Sequence, residues 1–169
     1  RGVKMSNWPP KLFRVRDDVP YALLCNMRKN PIGVSAESVR FSWSVPGSAA
    51  RQTAYRIIVA ESPVHLQQTD KALWDSGKVD CAESTHILYE GPPLGPQTYY
   101  WWNVRIWDEN GAESGCSEPS CFATGISGRW LAEWIWCGPV EPNSHVYFRK
   151  EIELEAKPVK SILASVSAD

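Results

Sequence analysis

The chain is poor in the residues that metal and redox sites use. Its three histidines, His65, His86 and His145, are scattered. Its five cysteines, Cys25, Cys81, Cys116, Cys121 and Cys137, contain no C-x-x-C pair. A zinc site needs three or four converging ligands, usually as two close pairs, so this pattern argues against a metal, and no cofactor is expected. An odd number of cysteines cannot form a closed disulfide set. The C-x4-C spacing of Cys116 and Cys121 leaves one pairing open, and most of the cysteines read as small buried hydrophobes. Neither sign of charge dominates. Lys plus Arg number 18 and Asp plus Glu 19 in 169 residues, a net charge of −1, without the basic excess of a general nucleic-acid binder. No apolar run approaches the roughly 18 residues of a membrane-spanning helix. The first 13 positions lack the apolar core of a signal peptide, and the first residue is Arg, not Met, which points to a processed or truncated chain. G-x-S-x-G is absent, and no Ser-His-Asp set is apparent.

What is present points to β structure. There are nine Trp and 13 Pro, with hydrophobic residues at 43%. Tryptophan brings a large apolar area and one N–H that wants a partner, while proline punctuates short elements and rarely sits inside helices. Residues 21–25 read as a first strand, and Asn30-Pro31-Ile32-Gly33 as a turn. Residues 39–45 alternate with period two and place Val39, Phe41, Trp43 and Val45 on one face. Residues 53–60 are rich in β-branched and aromatic side chains, residues 62–72 suit a short helical turn, and residues 73–77 and 85–89 read as short strands.

The clearest alternation runs from Leu94 to Trp107. One face carries Leu94, Thr98, Tyr100, Trp102, Val104 and Ile106, and the other carries Tyr99, Trp101, Asn103, Arg105 and Trp107. Asp108-Glu109-Asn110-Gly111 reads as a hairpin turn, because Asn-Gly supplies the φ values that tight turns need. Its partner strand is expected over 117–124. About seven short strands with turn signals at sandwich spacing predict an all-β sandwich over 20–125. Residues 1–19 read as an extended lead-in and residues 126–137, with Trp130, Trp134 and Trp136, as a Trp-rich linker. Residues 138–169 read as the start of an incomplete second β domain, with strands over 145–154 and 159–166.

Leu94-x-Pro96-x-Thr98-x-Tyr100 ahead of a long strand resembles the tyrosine corner of fibronectin type III domains, and Phe41-Ser42-Trp43 is similar to that family's core Trp strand. A closer resemblance rests on an ordered series. Asn30-Pro31-Ile32-Gly33, Arg40-Phe41-Ser42-Trp43, Gln52-Thr53-Ala54-Tyr55-Arg56-Ile57 and Leu73-Trp74-Asp75-Ser76-Gly77-Lys78-Val79 come first. Tyr89-x-Gly91-Pro92-Pro93-Leu94, Tyr100-Trp101-Trp102-x-Val104-Arg105, Trp107-Asp108, Trp134-Ile135 and Phe148-Arg149-Lys150 follow. In order and spacing this series resembles the N-terminal region of bacterial α-L-rhamnosidases. The resemblance implies an immunoglobulin-like, fibronectin type III sandwich followed by the first strands of a truncated jelly-roll-like domain. It implies a parent glycoside hydrolase whose helical barrel removes terminal α-L-rhamnosyl residues with inversion, using two carboxyls about 6.5–9.5 Å apart. No position here matches those carboxylates, so the chain alone is expected to be inactive.

The expected role is therefore that of a non-catalytic accessory module. Its partners would be the downstream domains of the parent and, through the parent, a rhamnose-containing glycan. A stand-alone carbohydrate- or protein-binding fibronectin-type module is the alternative, because one fold hosts many functions. Trp43, Tyr100 and Trp102 are assigned to the core, the Tyr100 hydroxyl seeking a backbone partner near Leu94 or Pro96. Tyr99, Trp101 and Trp107 are expected to form an exposed aromatic face for another domain of the parent, another subunit or a sugar ring, with an ordinary sheet face covered by the Trp130–Trp136 segment as the remaining reading. The acidic run from Asp108 reads as turn chemistry. A glycan-degrading parent suggests a periplasmic or extracellular setting, with a cytoplasmic one left open.

Overall fold

The computed structural model describes residues 18–128, 132–133, 135, 138–139, 145–153 and 163–164. The chain divides into two compact units, Arg1–Ser127 and Gly128–Asp169. The described part of the first is all-β. Its strands are β1 (Tyr21–Cys25), β2 (Ile32–Val34), β3 (Arg40–Ser44), β4 (Gln52–Ala60), β5 (Trp74–Asp75), β6 (Val79–Asp80), β7 (Ile87–Leu88), β8 (Tyr99–Asp108) and β9 (Ser120–Thr124). Two 3-10 turns, Pro63–Gln67 and Thr69–Lys71, fill the connection that suited a short helical turn.

The strands form two sheets. The smaller has the order β1-β3-β7, and the larger runs β2-β9-β8-β4-β5, with β6 also on β4. The pair β2–β9 is parallel and the other pairs are antiparallel. The long pairing of β4 with β8 sets the register of the core. Tyr55 faces Ile106, Ile57 faces Val104 and Val59 faces Trp102. Alternation then delivers all six side chains to one layer, where they are buried against Phe41 and Trp43 of the smaller sheet. Ring centroids lie 4.4 Å apart for Phe41–Trp102, 5.3 Å for Trp43–Tyr55 and 5.5 Å for Tyr100–Phe122. Each such ring withdraws apolar area worth roughly 1.5–3 kcal/mol or more.

Two polar devices fasten this core. The Trp43 Nε1–H donates to Gln52 Oε1 at 2.9 Å, and Gln52 Nε2 donates onward to the carbonyls of Glu83 at 2.8 Å and Cys81 at 3.2 Å. Gln52 is thus buried with its amide satisfied on both ends. At the corner before β8, the Gly95 N–H donates to Tyr100 Oη at 2.8 Å. Thr124 Oγ1 donates to the Gly95 carbonyl at 2.6 Å and accepts from the Thr98 amide at 2.9 Å, tying the corner to the last strand. Tyr100→Phe keeps the ring and orphans the Gly95 amide. The expected cost is about 1 kcal/mol, read as a lower urea midpoint at unchanged slope. An unchanged midpoint would remove the hydroxyl from any role in the corner.

One glycine is required by a close approach. A Cβ on Gly91 would lie 2.6 Å from Trp74 Cγ and 2.5 Å from Tyr89 Oη. The backbone of the Pro-rich crossover therefore lies directly on the Trp74–Tyr89 pair, whose centroids are 4.9 Å apart at 74°. Trp74, which has no role legible in the sequence, is half-buried there against the main core.

Several local expectations change. The last strand begins at Ser120 rather than 117. Upstream of it, Ser117 Oγ accepts from the Val104 amide and Ser114 Oγ from the Ile106 amide. Serine hydroxyls there replace ladder partners, so no regular strand forms. The strand expected over 85–89 shrinks to Ile87–Leu88, because His86 sits at φ +57, outside the β region. In the second unit, the strand expected over 145–154 is not formed by residues 145–153. A strand needs a neighbour for its backbone hydrogen bonds, and none pairs with this segment among the described residues. Tyr147 is 94% exposed and Ile152 72%. Most of the second strand expected in 138–169, together with the lead-in up to residue 17 and Trp8, Trp130, Trp134, Trp136 and Cys137, lies outside the described residues.

Candidate functional site

The outer face of the larger sheet carries the residues singled out for binding. Tyr99, Trp101 and Trp107 do project from β8 to one side, but none is fully exposed. Trp101 packs with Ile58, Ala60, Leu66 and Ala72 in a small second apolar cluster. Leu66 comes from the 3-10 turn Pro63–Gln67, which folds back over this end of β4 and β8. At the other end the Lys78 ammonium lies 4.9 Å from the Trp107 ring centroid. A cation so placed is attracted by the electron-rich face of the ring. The continuous exposed aromatic face expected from the alternation is therefore broken. Its two tryptophans are half-buried, each touched by a local element that strand periodicity cannot show.

Between them lies a charged centre that sequence reasoning missed. Arg56 of β4 and Arg105 of β8 are direct cross-strand partners. Two like charges so placed repel, and each is neutralised by its own carboxylate. Arg56 Nε donates to Asp75 Oδ1 at 2.8 Å while its Nη2 reaches Oδ2, a two-point pair. Arg105 Nη1 donates to Glu113, and its Nη2 to Cys116 Sγ at 2.9 Å. The Arg56 hydrogen bond holds the Asp75 carboxyl below the ordinary carboxylate range, helped by the Gly77 amide and opposed by burial. A lowered carboxyl contributes stability at neutral pH that fades as the pH falls through the depressed value. The signal for this centre was the pair of arginines at matching positions of two outward faces, readable only once the register is known.

Among the described residues the cysteines stay apart. Cys25, Cys81, Cys116 and Cys121 are free thiols. Cys116 stands at Arg105 and Cys121 pairs with Trp101, four residues along the same strand. That separation, roughly 13 Å at strand rise, is beyond the Cα reach of a disulfide. Burial pushes the Cys25 thiol up to about 12, so it behaves as apolar filling of the core, and partial burial raises Cys121.

A half-open cleft of about 320 Å³ lies at one end of the sandwich. Pro46, Ser48 and Ala49 line one side, and Asp108, Glu113 and Ser114 the other. Two of the three carboxylates that line it, Asp108 and Glu113, are already engaged. Asp108 Oδ1 accepts from the Asn110 and Ala112 amides at 2.9 and 2.8 Å, and Glu113 holds Arg105. Asp108 and Glu113 thus serve to shape the turn after β8.

Residues 20–128 match the model for the Rha78A-like N-terminal immunoglobulin domain. The chain belongs to that family. The domain is 43% identical over 111 residues to an α-L-rhamnosidase of Streptomyces avermitilis, a match that covers 63% of this chain and 11% of the relative. An α-L-rhamnosidase of Formosa agariphila is 40% identical over 133 residues, covering 76% of this chain and 14% of the relative. The crystal structure of the Streptomyces avermitilis enzyme complexed with L-rhamnose superposes with a TM-score of 0.64 at 39% identity, over 68% of this chain and 11% of that one. The α-L-rhamnosidase of Dictyoglumus thermophilum gives a TM-score of 0.61 at 36% identity, over 66% of this chain and 13% of that one. The chain thus spans about a tenth to a seventh of the length of the curated relatives described here. The Rha78A-like immunoglobulin domain is the N-terminal part of such proteins, a region that is not the catalytic domain.

Proposed function

We propose that this chain serves as the non-catalytic N-terminal module of a glycoside hydrolase that removes terminal α-L-rhamnosyl residues with inversion. The observation that carries the reading is that the family match is to an N-terminal immunoglobulin domain of proteins named α-L-rhamnosidases. The module's own work is positional. It presents packing surface to the following domains, and Tyr99, Trp101 and Trp107 belong to that surface rather than to a sugar site. Lys78 over Trp107 and Leu66 against Trp101 favour this role, since each ring is already engaged in part by a side chain of this domain. The pairing of Arg56 and Arg105 with carboxylates favours it too, because a neutralised face can be covered by protein at lower desolvation cost.

The 169-residue chain is expected to release no aglycone from an aryl α-L-rhamnoside, because no pair of carboxyls in it matches the acid and base that inverting hydrolysis needs. Chromogenic assay of the purified chain checks this. Turnover that copurifies with the folded chain would reverse the assignment.

A further inference from the structure

The turn that follows β8 holds the chain's single Asn-Gly pair, Asn110-Gly111. Both residues are exposed. Gly111 adopts φ +77, a value that favours glycine, and has no side chain to shield its backbone nitrogen. These are the conditions for intramolecular attack on the Asn110 side-chain amide, a reaction behind the thermolability of asparagine.

The same turn is clamped. The Gly111 N–H donates to the Asp108 carbonyl at 3.1 Å, and the Asp108 amide donates to the Ala112 carbonyl at 3.0 Å. Asp108 Oδ1 binds the Asn110 and Ala112 amides from inside the turn. The nitrogen that would attack is thus engaged, and the backbone on both sides of it is fixed by one carboxylate. That carboxylate and its neighbour Glu109 also disfavour the deprotonated nitrogen that attack requires.

We propose that Asn110 is a spontaneous deamidation site whose rate is set by the Asp108 clamp. The Gly111 nitrogen attacks Asn110 Cγ and gives up its proton. A new C–N bond forms, the Cγ–NH2 bond breaks and ammonia leaves, producing a five-membered succinimide. Water then opens the ring at either carbonyl, giving aspartate or isoaspartate; no electrons are exchanged. The product adds a carboxylate beside Asp108, Glu109 and Glu113 at the edge of the cleft. The isoaspartate form also lengthens the backbone of the turn, which disfavours the Asp108 hydrogen bonds. The chain would therefore carry an age-dependent change in charge and shape at this end of the sandwich, independent of its role in a parent enzyme.

The test is incubation of the 169-residue chain at mildly alkaline pH, followed by isoaspartate detection in the tryptic peptide 106–129. Isoaspartate is expected to accumulate there, with matching ammonia, and to be absent in Asn110→Ser. Asp108→Ala is expected to react severalfold faster than the folded wild type. Should that variant fail to fold, the wild type unfolded in urea supplies the unclamped rate, which should also exceed the folded one. No isoaspartate at position 110 in either folded or unfolded chain overturns the site. Equal rates with and without the clamp overturn the control by Asp108.

Discussion

Trp102→Ala is expected to lower stability by about 3–5 kcal/mol, the usual cost of removing a large aromatic side chain from a closed core. Trp102 is fully buried in β8, opposite Val59 and 4.4 Å from the Phe41 ring across the two sheets. Neighbours on both sheets are already in ladder register and cannot collapse far into the void, so the cavity cost adds to the lost transfer energy. Total stabilities of domains run at about 5–15 kcal/mol, so this one change should leave a measurable unfolded population at room temperature. Trp102→Phe is the informative companion. The indole Nε1–H is buried and has no hydrogen-bond partner among the described residues. Phenylalanine removes that orphan while keeping a ring against Phe41, and should cost much less than alanine. Urea titrations of both variants check the pair. If Trp102→Phe lost as much as Trp102→Ala, the buried N–H would be making a bond that matters.

Gln52→Leu has the second-largest expected effect, on the order of 3 kcal/mol from orphaned polar groups at about 1–3 kcal/mol each. The two side chains are similar in volume although leucine is one atom shorter, so the packing of the core changes little. What changes is hydrogen bonding, since the Trp43 Nε1–H and the carbonyls of Cys81 and Glu83 lose their partners together. A cycle with Trp43→Phe separates the contributions. Once the indole N–H is absent, Gln52→Leu should cost less than it does alone, by roughly the 1 kcal/mol of one buried bond. Strictly additive losses would mean that Trp43 and Gln52 do not depend on one another.

Much of the sandwich was legible because a strand writes its burial into the sequence with period two. The inward row Tyr100, Trp102, Val104 and Ile106 is buried in the order that the alternation implies. The tyrosine corner was legible for a different reason. Its hydrogen bond spans only five residues, so Leu94-x-Pro96-x-Thr98-x-Tyr100 contains both partners, and the acceptor of the Gly95 amide is Tyr100 Oη. Gln52 was not legible in the same way. It is a polar residue at a strand start, and only the arrival of Trp43 and of the 81–83 segment at the same point makes it part of the core.

The outer face shows where local pattern stops. Alternation put Tyr99, Trp101 and Trp107 on one side, and they are on one side. Whether a side is open depends on what folds over it, and Leu66 and Lys78 come from loops 29 to 35 positions away along the chain. The arginine pair is similar: Arg56 and Arg105 meet because β4 and β8 pair in one register among several that would bury an apolar face. Cys116 and Cys121 illustrate the converse, since short spacing suggested a bond that an extended backbone keeps apart.

The sequence by itself determined the class of fold, the family and the inward rows of the core, because period-two burial, turn chemistry and ordered motifs are all local along the chain. Tertiary structure alone decided which aromatic rings are covered, which charges neutralise one another and which thiols can meet. Those outcomes depend on register and on loops crossing a sheet face, and neither is encoded within a single strand's length.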